Sequence, residues 1–433
     1  MTQDSHCDEL MHSLRTQAID LGEQGVVTDT DDQPDRLTAF ADIDIVGMGE
    51  ATHRTSEFFR VKHRVFEHLV REHGFRLFGL EAQFAEALAL HDYVVHGIGD
   101  LESALDELVL TIYDTEEMGS LLRWMRAFNE DQPLSDRIAV YGFDVQSPSG
   151  AAAALREYVD EHDVGSEVDD LVASLTTLAD GIVDGYDVET DRLQMAAQVV
   201  QRLDEHFEAD ADCPGQPRSP GLDPTLAKQL VWTLQWGCEF ARAGMETDRN
   251  TQHGVRDRYM AGTVEWIRQY ESRAQIALWA HNNHVKTGEL CGIKGDAETM
   301  GDRLARQYGD RYYALGLQFG DGTIRGLMTV SSEGAFEFDG QQYSRQEMEV
   351  PEAPADAVPS LFAHVDTSTA FLDYRSLADT SHLRAWLDEP RPHYFVAGIV
   401  DPADETTVLE PHNAITEFDG MVFVRDASPT TPR

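Results

Sequence analysis

Two short segments far apart in the chain, GEATH at 49–53 and AHNNH at 280–284, carry the side chains best suited to chemistry. Glu50 and His53 stand three residues apart, and His281 and His284 repeat that spacing. An imidazole has an unperturbed pKa of about 6.5, so it can take a proton from water near neutrality. A carboxylate on its other ring nitrogen fixes the tautomer and stabilises the imidazolium. Brought together, these groups would form a site for proton-transfer chemistry. No GxSxG elbow occurs, and no serine or cysteine stands at an expected strand end. A route through a covalent serine or cysteine intermediate is therefore the less expected one.

The elements that must position these groups are legible as strand, polar turn and helix in alternation, the pattern of an α/β fold with a largely parallel sheet. Ligands of such sheets bind beyond the carboxyl ends of the strands. The strand in DIDIVGMG delivers Glu50 and His53, and FRLFGLE delivers Glu81. RIAVYGFD delivers Asp144, and AQIALWA delivers His281, Asn282 and His284. A helix is expected over 56–72, with Phe59, Phe66, Leu69 and Val70 as its apolar stripe and a stop at His73–Gly74.

Four stretches follow from this pattern. Residues 1–40 form a helix (Cys7 to Leu21) and an acidic loop, TDTDDQPD, and 41–149 form the first part of the α/β core. Residues 150–270 are helical in pattern, an insertion that could stand over the sheet as a lid. The sheet resumes over 271–433 with AQIALWAHNNHV, RYYALGLQF, PHYFVAGIV and GMVFVRD; between 330 and 390 only short strands and loops are expected.

Each candidate also has a plainer explanation. Glu50 could cap backbone amides, Glu81 could pair with an arginine, and the AHNNH histidines could fill a hydrogen-bond network. Lys62, Asp144, Tyr113, Glu116 and Arg256 are the candidates for substrate contacts. For Tyr113, Glu116 and Arg256–Asp257 the default is a solvated helix face. A buried ion pair with a site glutamate is the specific alternative for Lys62.

The formal charge of −44 excludes nucleic acid as a natural partner. Of 34 basic residues only four are lysines (Lys62, Lys228, Lys286 and Lys294). Acid spread along the whole chain with so little lysine suggests a surface adapted to high salt, where self-repulsion is screened over about 3 Å. No apolar run approaches the roughly 20 residues of a membrane span. The amino terminus lacks a signal-peptide pattern, so a cytoplasmic address and a monomer are expected. Cys7, Cys213, Cys238 and Cys291 are scattered without zinc-site spacing and are expected to be reduced bystanders.

GMGEATHRTSEFFRVKHRVFEHLVREHGF, FGLEA, YGFDVQ, RDRYMAGTVEW, WAHNNHVK and MGDRLARQYGDRYYALGLQF resemble the erythromycin esterase family in order and spacing, strongly over residues 40 to 320. FDGMVFV fits the family's last strand. The resemblance implies a three-layer α/β sandwich with a helical domain over a cleft. It also implies hydrolysis of an ester or lactone by direct attack of water, with His53 as the general base, Glu50 and Glu81 as orienting carboxylates, and His281 or His284 donating to the oxyanion or protonating the leaving alkoxide. Its macrolide-hydrolysing members carry an arginine where this sequence has Lys62, and the two are not interchangeable at a forked contact. No cofactor is expected. The alternatives are a divalent metal such as zinc at the His/Glu cluster, or a non-catalytic haem- or iron-binding relative of the same fold, which lacks a CxxCH motif here.

Overall fold

The computed structural model describes residues 3–22, 37–108, 111–147, 149–179, 189–207, 220–246, 249–291, 297–329, 336–338, 341–396, 400 and 408–433. The acidic loop, Cys213 and the end of PHYFVAGIV (397–399) lie outside them.

The strands are β1 (Ile19–Asp20), β2 (Ile45–Met48), β3 (Leu77–Gln83), β4 (Ala139–Asp144), β5 (Ile276–Trp279) and β6 (Tyr312–Thr329). They continue as β7 (Phe336–Phe338), β8 (Gln341–Glu349), β9 (Thr369–Asp373), β10 (Arg391–Tyr394), β11 (Leu409–His412) and β12 (Gly420–Ala427). The main sheet runs in the order β1-β9-β12-β6-β2-β5-β3-β4. From β12 to β4 every pairing is parallel, and β9 and β1 add an antiparallel edge. Every residue of β2, β3, β4 and β5 is buried, as parallel strands covered on both faces require.

Successive residues of these strands feed two different cores. Ile45, Leu77, Tyr141 and Ile276 join the core that includes Leu155, Val172, Leu203, Leu230 and Tyr259 from the helices of 149–270. Val46, Phe78, Val140 and Ala277 join the other, with Phe58, Phe66 and Leu69 of the helix Ser56–Glu72 and Leu121 and Met125 of Glu116–Glu130. The molecule is thus an α/β sandwich of three layers. Five helices (Ser149–Glu161, Ser166–Ala179, Thr190–Phe207, Pro224–Glu246 and Arg249–Tyr270) follow β4 and precede β5. Their apolar faces complete one layer of the core.

The helix Ser56–Glu72 has the expected limits, and Gly74 beyond it takes φ +75°. Three expectations are corrected. The first helix spans Gln3–Gln17, because the chain then extends as β1 against β9. The strand in PHYFVAGIV does not enter the main sheet; β10 pairs with β11 in a separate hairpin. RYYALGLQF is only the first half of β6, which continues out of the parallel sheet to pair antiparallel with β8.

An open depression of about 660 Å³ lies at the amino ends of the strands, beside Asp42, Asp44, Gln275 and Arg311. Its charged groups neutralise one another, Asp44 meeting Arg311 at 2.6 Å and Arg268 at 3.5 Å. No described helix is long and apolar enough to cross a membrane.

Candidate active site

β2 leaves the sheet through Gly47-Met48-Gly49, and the short helix Asn282–Val285 lies directly on this exit. A Cβ on Gly47 would stand 2.7 Å from Tyr312 Oη, and one on Gly49 would overlap Asn282 Oδ1. The two glycines let the two motif segments touch. Asn282 then joins them: its backbone N–H donates to Glu50 O at 2.9 Å, and its amide donates to Leu317 O at 2.9 Å.

The turn presents one carboxylate to two bases. Glu50 Oε1 lies 2.7 Å from His53 Nδ1, and Glu50 Oε2 accepts from Lys62 Nζ at 2.7 Å. Lys62 reaches in from the helix Ser56–Glu72, is fully buried, donates also to Ala280 O at 3.2 Å, and lies 4.4 Å from the Trp279 ring centroid. Burial lowers its pKa to about 8, against the attraction of Glu50. His53 is the exposed member of the trio, its side chain 19% accessible. Nδ1–H is committed to Glu50, and no hydrogen-bond partner for Nε2 is found among the described residues.

Around His53 the backbone is pinned on both sides. Val396 N–H donates to Ala51 O at 2.7 Å, and Thr430 N–H donates to Arg54 O at 2.8 Å. Arg54 takes φ +65°, a left-handed conformation that costs a non-glycine residue about 1–2 kcal/mol. These neighbouring bonds hold it there, and the turn aims His53 outward.

A second cluster lies beneath adjacent strands. Arg256, from the helix Arg249–Tyr270, donates through Nε and Nη2 to the two oxygens of Asp144, each at 2.8 Å, and through Nη2 to Glu81 Oε1 at 2.7 Å. The next residue, Asp257, accepts from Met300 N–H at 2.7 Å and holds His284 Nδ1 at 3.0 Å. His284 Nε2 lies 3.3 Å from Glu81 Oε1. Burial alone would neutralise this ring, but Asp257 and Glu81 overcome it and push the pKa up to about 10. Glu81 is opposed by burial too, yet His284 and then Arg256 hold its carboxyl well below the usual range. Arg256 Nη1 stands 3.2 Å from His284 Nε2; with the imidazole protonated this is a close approach of two donors around one carboxylate.

His281 joins the two clusters. Its backbone N–H donates to Glu81 Oε2 at 2.8 Å, and its ring centroid is 5.2 Å from that of His53. Nδ1 accepts from Asn283 N–H at 3.1 Å, which places the ring proton on Nε2, directed at Ala51 O at 3.3 Å. Burial, then the neighbouring His53, holds the ring neutral, its pKa well below the ordinary value.

Glu50, His53, Glu81, His281, His284, Asp144, Lys62 and Arg256 therefore meet at the carboxyl ends of β2, β5, β3 and β4. Of the candidates for substrate contacts, Lys62 forms the buried ion pair with a site glutamate that was its specific alternative, and Arg256 and Tyr113 leave the solvated helix face expected for them. Arg256 and Lys62 are buried and spent on carboxylates, and the Tyr113 hydroxyl is buried and donates to Glu81 O at 3.0 Å. Asp144 is enclosed by Arg256 and the 145–146 turn, where Gln146 Nε2 donates at 2.5 Å. Glu116 is not in the cluster: it is exposed in the first turn of its helix and lies 3.5 Å from Arg123. Asp257, expected with Arg256 on a solvated helix face, is instead fully buried against His284.

The family model described as Erythromycin esterase matches residues 70–427. The chain is 25% identical to erythromycin esterase type II of Escherichia coli over 301 residues, 64% of this chain and 69% of that one. Its fold is similar to that of a succinoglycan biosynthesis protein, with TM-score 0.79 and 19% identity over all of both chains. It is also similar to a mutant of the erythromycin esterase EreC in its open conformation, with TM-score 0.68 and 18% identity over 95% of this chain and 98% of that one. With the family model spanning most of its length, the chain belongs to the erythromycin esterase family.

Proposed function

We propose that the chain is a carboxylic ester hydrolase that cleaves an ester or lactone by attack of water activated by His53. One observation carries this reading: His53 gives Nδ1–H to a buried carboxylate and leaves Nε2 as a lone pair on an accessible ring. Glu50 fixes the tautomer and stabilises the imidazolium that forms, and Lys62 holds Glu50 in place. Water adds to the carbonyl carbon as its proton passes to His53 Nε2. The carbon–oxygen bond to the leaving group then breaks, and His53 returns the proton to the departing alkoxide, giving acid and alcohol.

His281 and His284 are better placed to position than to transfer protons. Both ring nitrogens of His281 are engaged, and His284 is an imidazolium held between Asp257 and Glu81. Through Glu81, the second cluster fixes the His281 backbone and hence the ring beside His53.

We read the site as working without a metal ion, on its donor chemistry. Glu50 is neutralised by Lys62, Glu81 by Arg256 and His284, and His281 has no lone pair left to give. The same occupancy argues against haem or iron ligation. A bulky macrolide-like lactone is the substrate class that the erythromycin esterase relatives suggest. The helices of 149–270 would border the cleft through Arg249–Tyr270, where they could act as a lid.

The test is a panel of macrolide lactones and simple alkyl and aryl esters, incubated with chelator-treated protein in molar salt. Products are read by mass spectrometry as the gain of one water. Hydrolysis of at least one substrate class without added metal is expected. Hydrolysis of none, or a requirement for a divalent ion, contradicts the reading.

A further inference from the structure

A second group of donor atoms lies between the segment that follows His284 and the β10–β11 hairpin. A sulfur of Cys291, a carboxylate oxygen of Glu410 and a ring nitrogen of His412 all lie within 4.8 Å of one another. The register pairs His393 with Glu410 and Arg391 with His412. Side chains two residues apart on a strand share a face, so His393, Glu410 and His412 project from one side of the hairpin.

Two details separate this group from a chance meeting of polar residues. First, His412 is oriented. Its Nδ1 is 2.7 Å from Glu417 Oε2, and Glu417 is held in turn by Lys286 at 2.9 Å. A carboxylate on the far nitrogen is what aligns metal-binding imidazoles; Cys291 Sγ stands 3.4 Å from Nε2 and 3.8 Å from Nδ1, off the lone-pair axis, so the thiol would turn to share an ion with Nε2. Zinc–sulfur and zinc–nitrogen bonds of about 2.3 and 2.0–2.1 Å at a tetrahedral angle set sulfur and nitrogen about 3.5 Å apart.

Second, a buried acceptor beside the group has no donor among the described residues. His393 is fully buried, its Nδ1–H donates to Arg391 O at 2.8 Å, and its Nε2 has no hydrogen-bond partner among the described residues. The ring centroids of His393 and His412 are 5.5 Å apart, the rings nearly perpendicular. Leaving such a nitrogen unpaired is unfavourable.

We propose that Cys291, Glu410 and His412 bind a zinc-like divalent cation, with a water as fourth ligand that donates to His393 Nε2. In the metal-free chain burial, and then Glu410, holds Cys291 as the neutral thiol. Binding releases the thiol proton to solvent and forms a metal–thiolate bond. Cys291 is only partly buried, which gives the ion a way in.

The ion would fasten the hairpin to the 282–291 segment. The Phe395 ring stacks on His412 at 4.2 Å and meets His281 edge-on at 5.0 Å, and the next residue, Val396, anchors Ala51. The clamp thus stands behind the candidate active site without entering it.

The test uses the full chain, stripped by chelator and titrated with Co²⁺ alone. One ion per chain is expected, with a thiolate-to-cobalt charge-transfer band in the near ultraviolet that Zn²⁺ abolishes by displacement. Cys291→Ser should remove the band, whereas Cys238→Ser, altering a thiol buried elsewhere, should leave it. Glu410→Gln, at a partly exposed position, keeps the assignment testable if Cys291→Ser does not fold; it should weaken Co²⁺ at least tenfold. Absence of the band in the unaltered chain, its survival in Cys291→Ser, or unchanged affinity in Glu410→Gln overturns the proposal. Co²⁺ held only by surface acids, with no thiolate band, does the same.

Discussion

Glu50 Oε1 and His53 Nδ1 lie 2.7 Å apart, with the carboxylate buried and the imidazole partly exposed. This pairing sets the polarity of the site, because a ring that donates inward must accept outward. The remaining site residues hold one or other member of the pair in place.

Lys62 does so by charge. Removing one partner of a buried ion pair costs about 3–5 kcal/mol, because the other charge is left uncompensated. Lys62→Met is expected to lose about that much stability by urea unfolding at fixed pH. Adding Glu50→Gln to it should recover part of the loss, so the double variant falls short of the sum of the singles. Strict additivity would mean that the two side chains do not depend on each other.

His284 makes stability fall with pH. Its pKa rises from 6.5 to about 10 on folding, so its contribution is complete below pH 6.5 and is lost as pH climbs towards 10. Lys62 acts in the opposite sense and later: with its pKa lowered from 10.5 to about 8, it adds stability only as pH rises from 8 to 10.5. From pH 6.5 to 8 His284 therefore dominates, with a fall on the order of 2 kcal/mol. Urea unfolding in molar salt, where exposed charges are screened, should show this fall. His284→Gln should flatten it, and an equal slope in the variant would contradict the assignment.

Gly49 tests the contact between the two motif segments. A methyl group there must displace Asn282 and with it the start of the segment carrying His284. Misplacement on the scale of 1 Å can cost about 10²-fold in rate. Gly49→Ala is expected to reduce kcat by roughly that factor while KM changes little. Wild-type kcat in this variant would show that the contact has no part in alignment.

Much of this site was legible because parallel strands buried on both faces read as apolar runs, and the polar residues that end them stand out. Glu50, Glu81, Asp144 and His281 were found in that way, and Gly74 marked the end of the helix before β3. Arg256 and Asp257 were harder. Their helix mixes apolar and charged residues around its circumference, so no pattern separates a buried arginine from a solvated one. Glu116 misled because an acid in the first turn of a helix suits the helix dipole and needs no further role. β9 and β11 are five and four residues long, too short for periodicity to identify, so the partner of the strand in PHYFVAGIV was hidden. The grouping of Cys291 with Glu410 and His412 depends on the β10–β11 hairpin and could not be read from spacing.

The most direct measurement is the hydrolytic rate of His53→Asn on whichever ester or lactone the unaltered chain cleaves, with circular dichroism and urea unfolding confirming the fold. A loss of kcat of at least about 10²-fold, with stability within about 1 kcal/mol of the parent, is the predicted result. A folded His53→Asn protein that turns over substrate at the parent rate would contradict it.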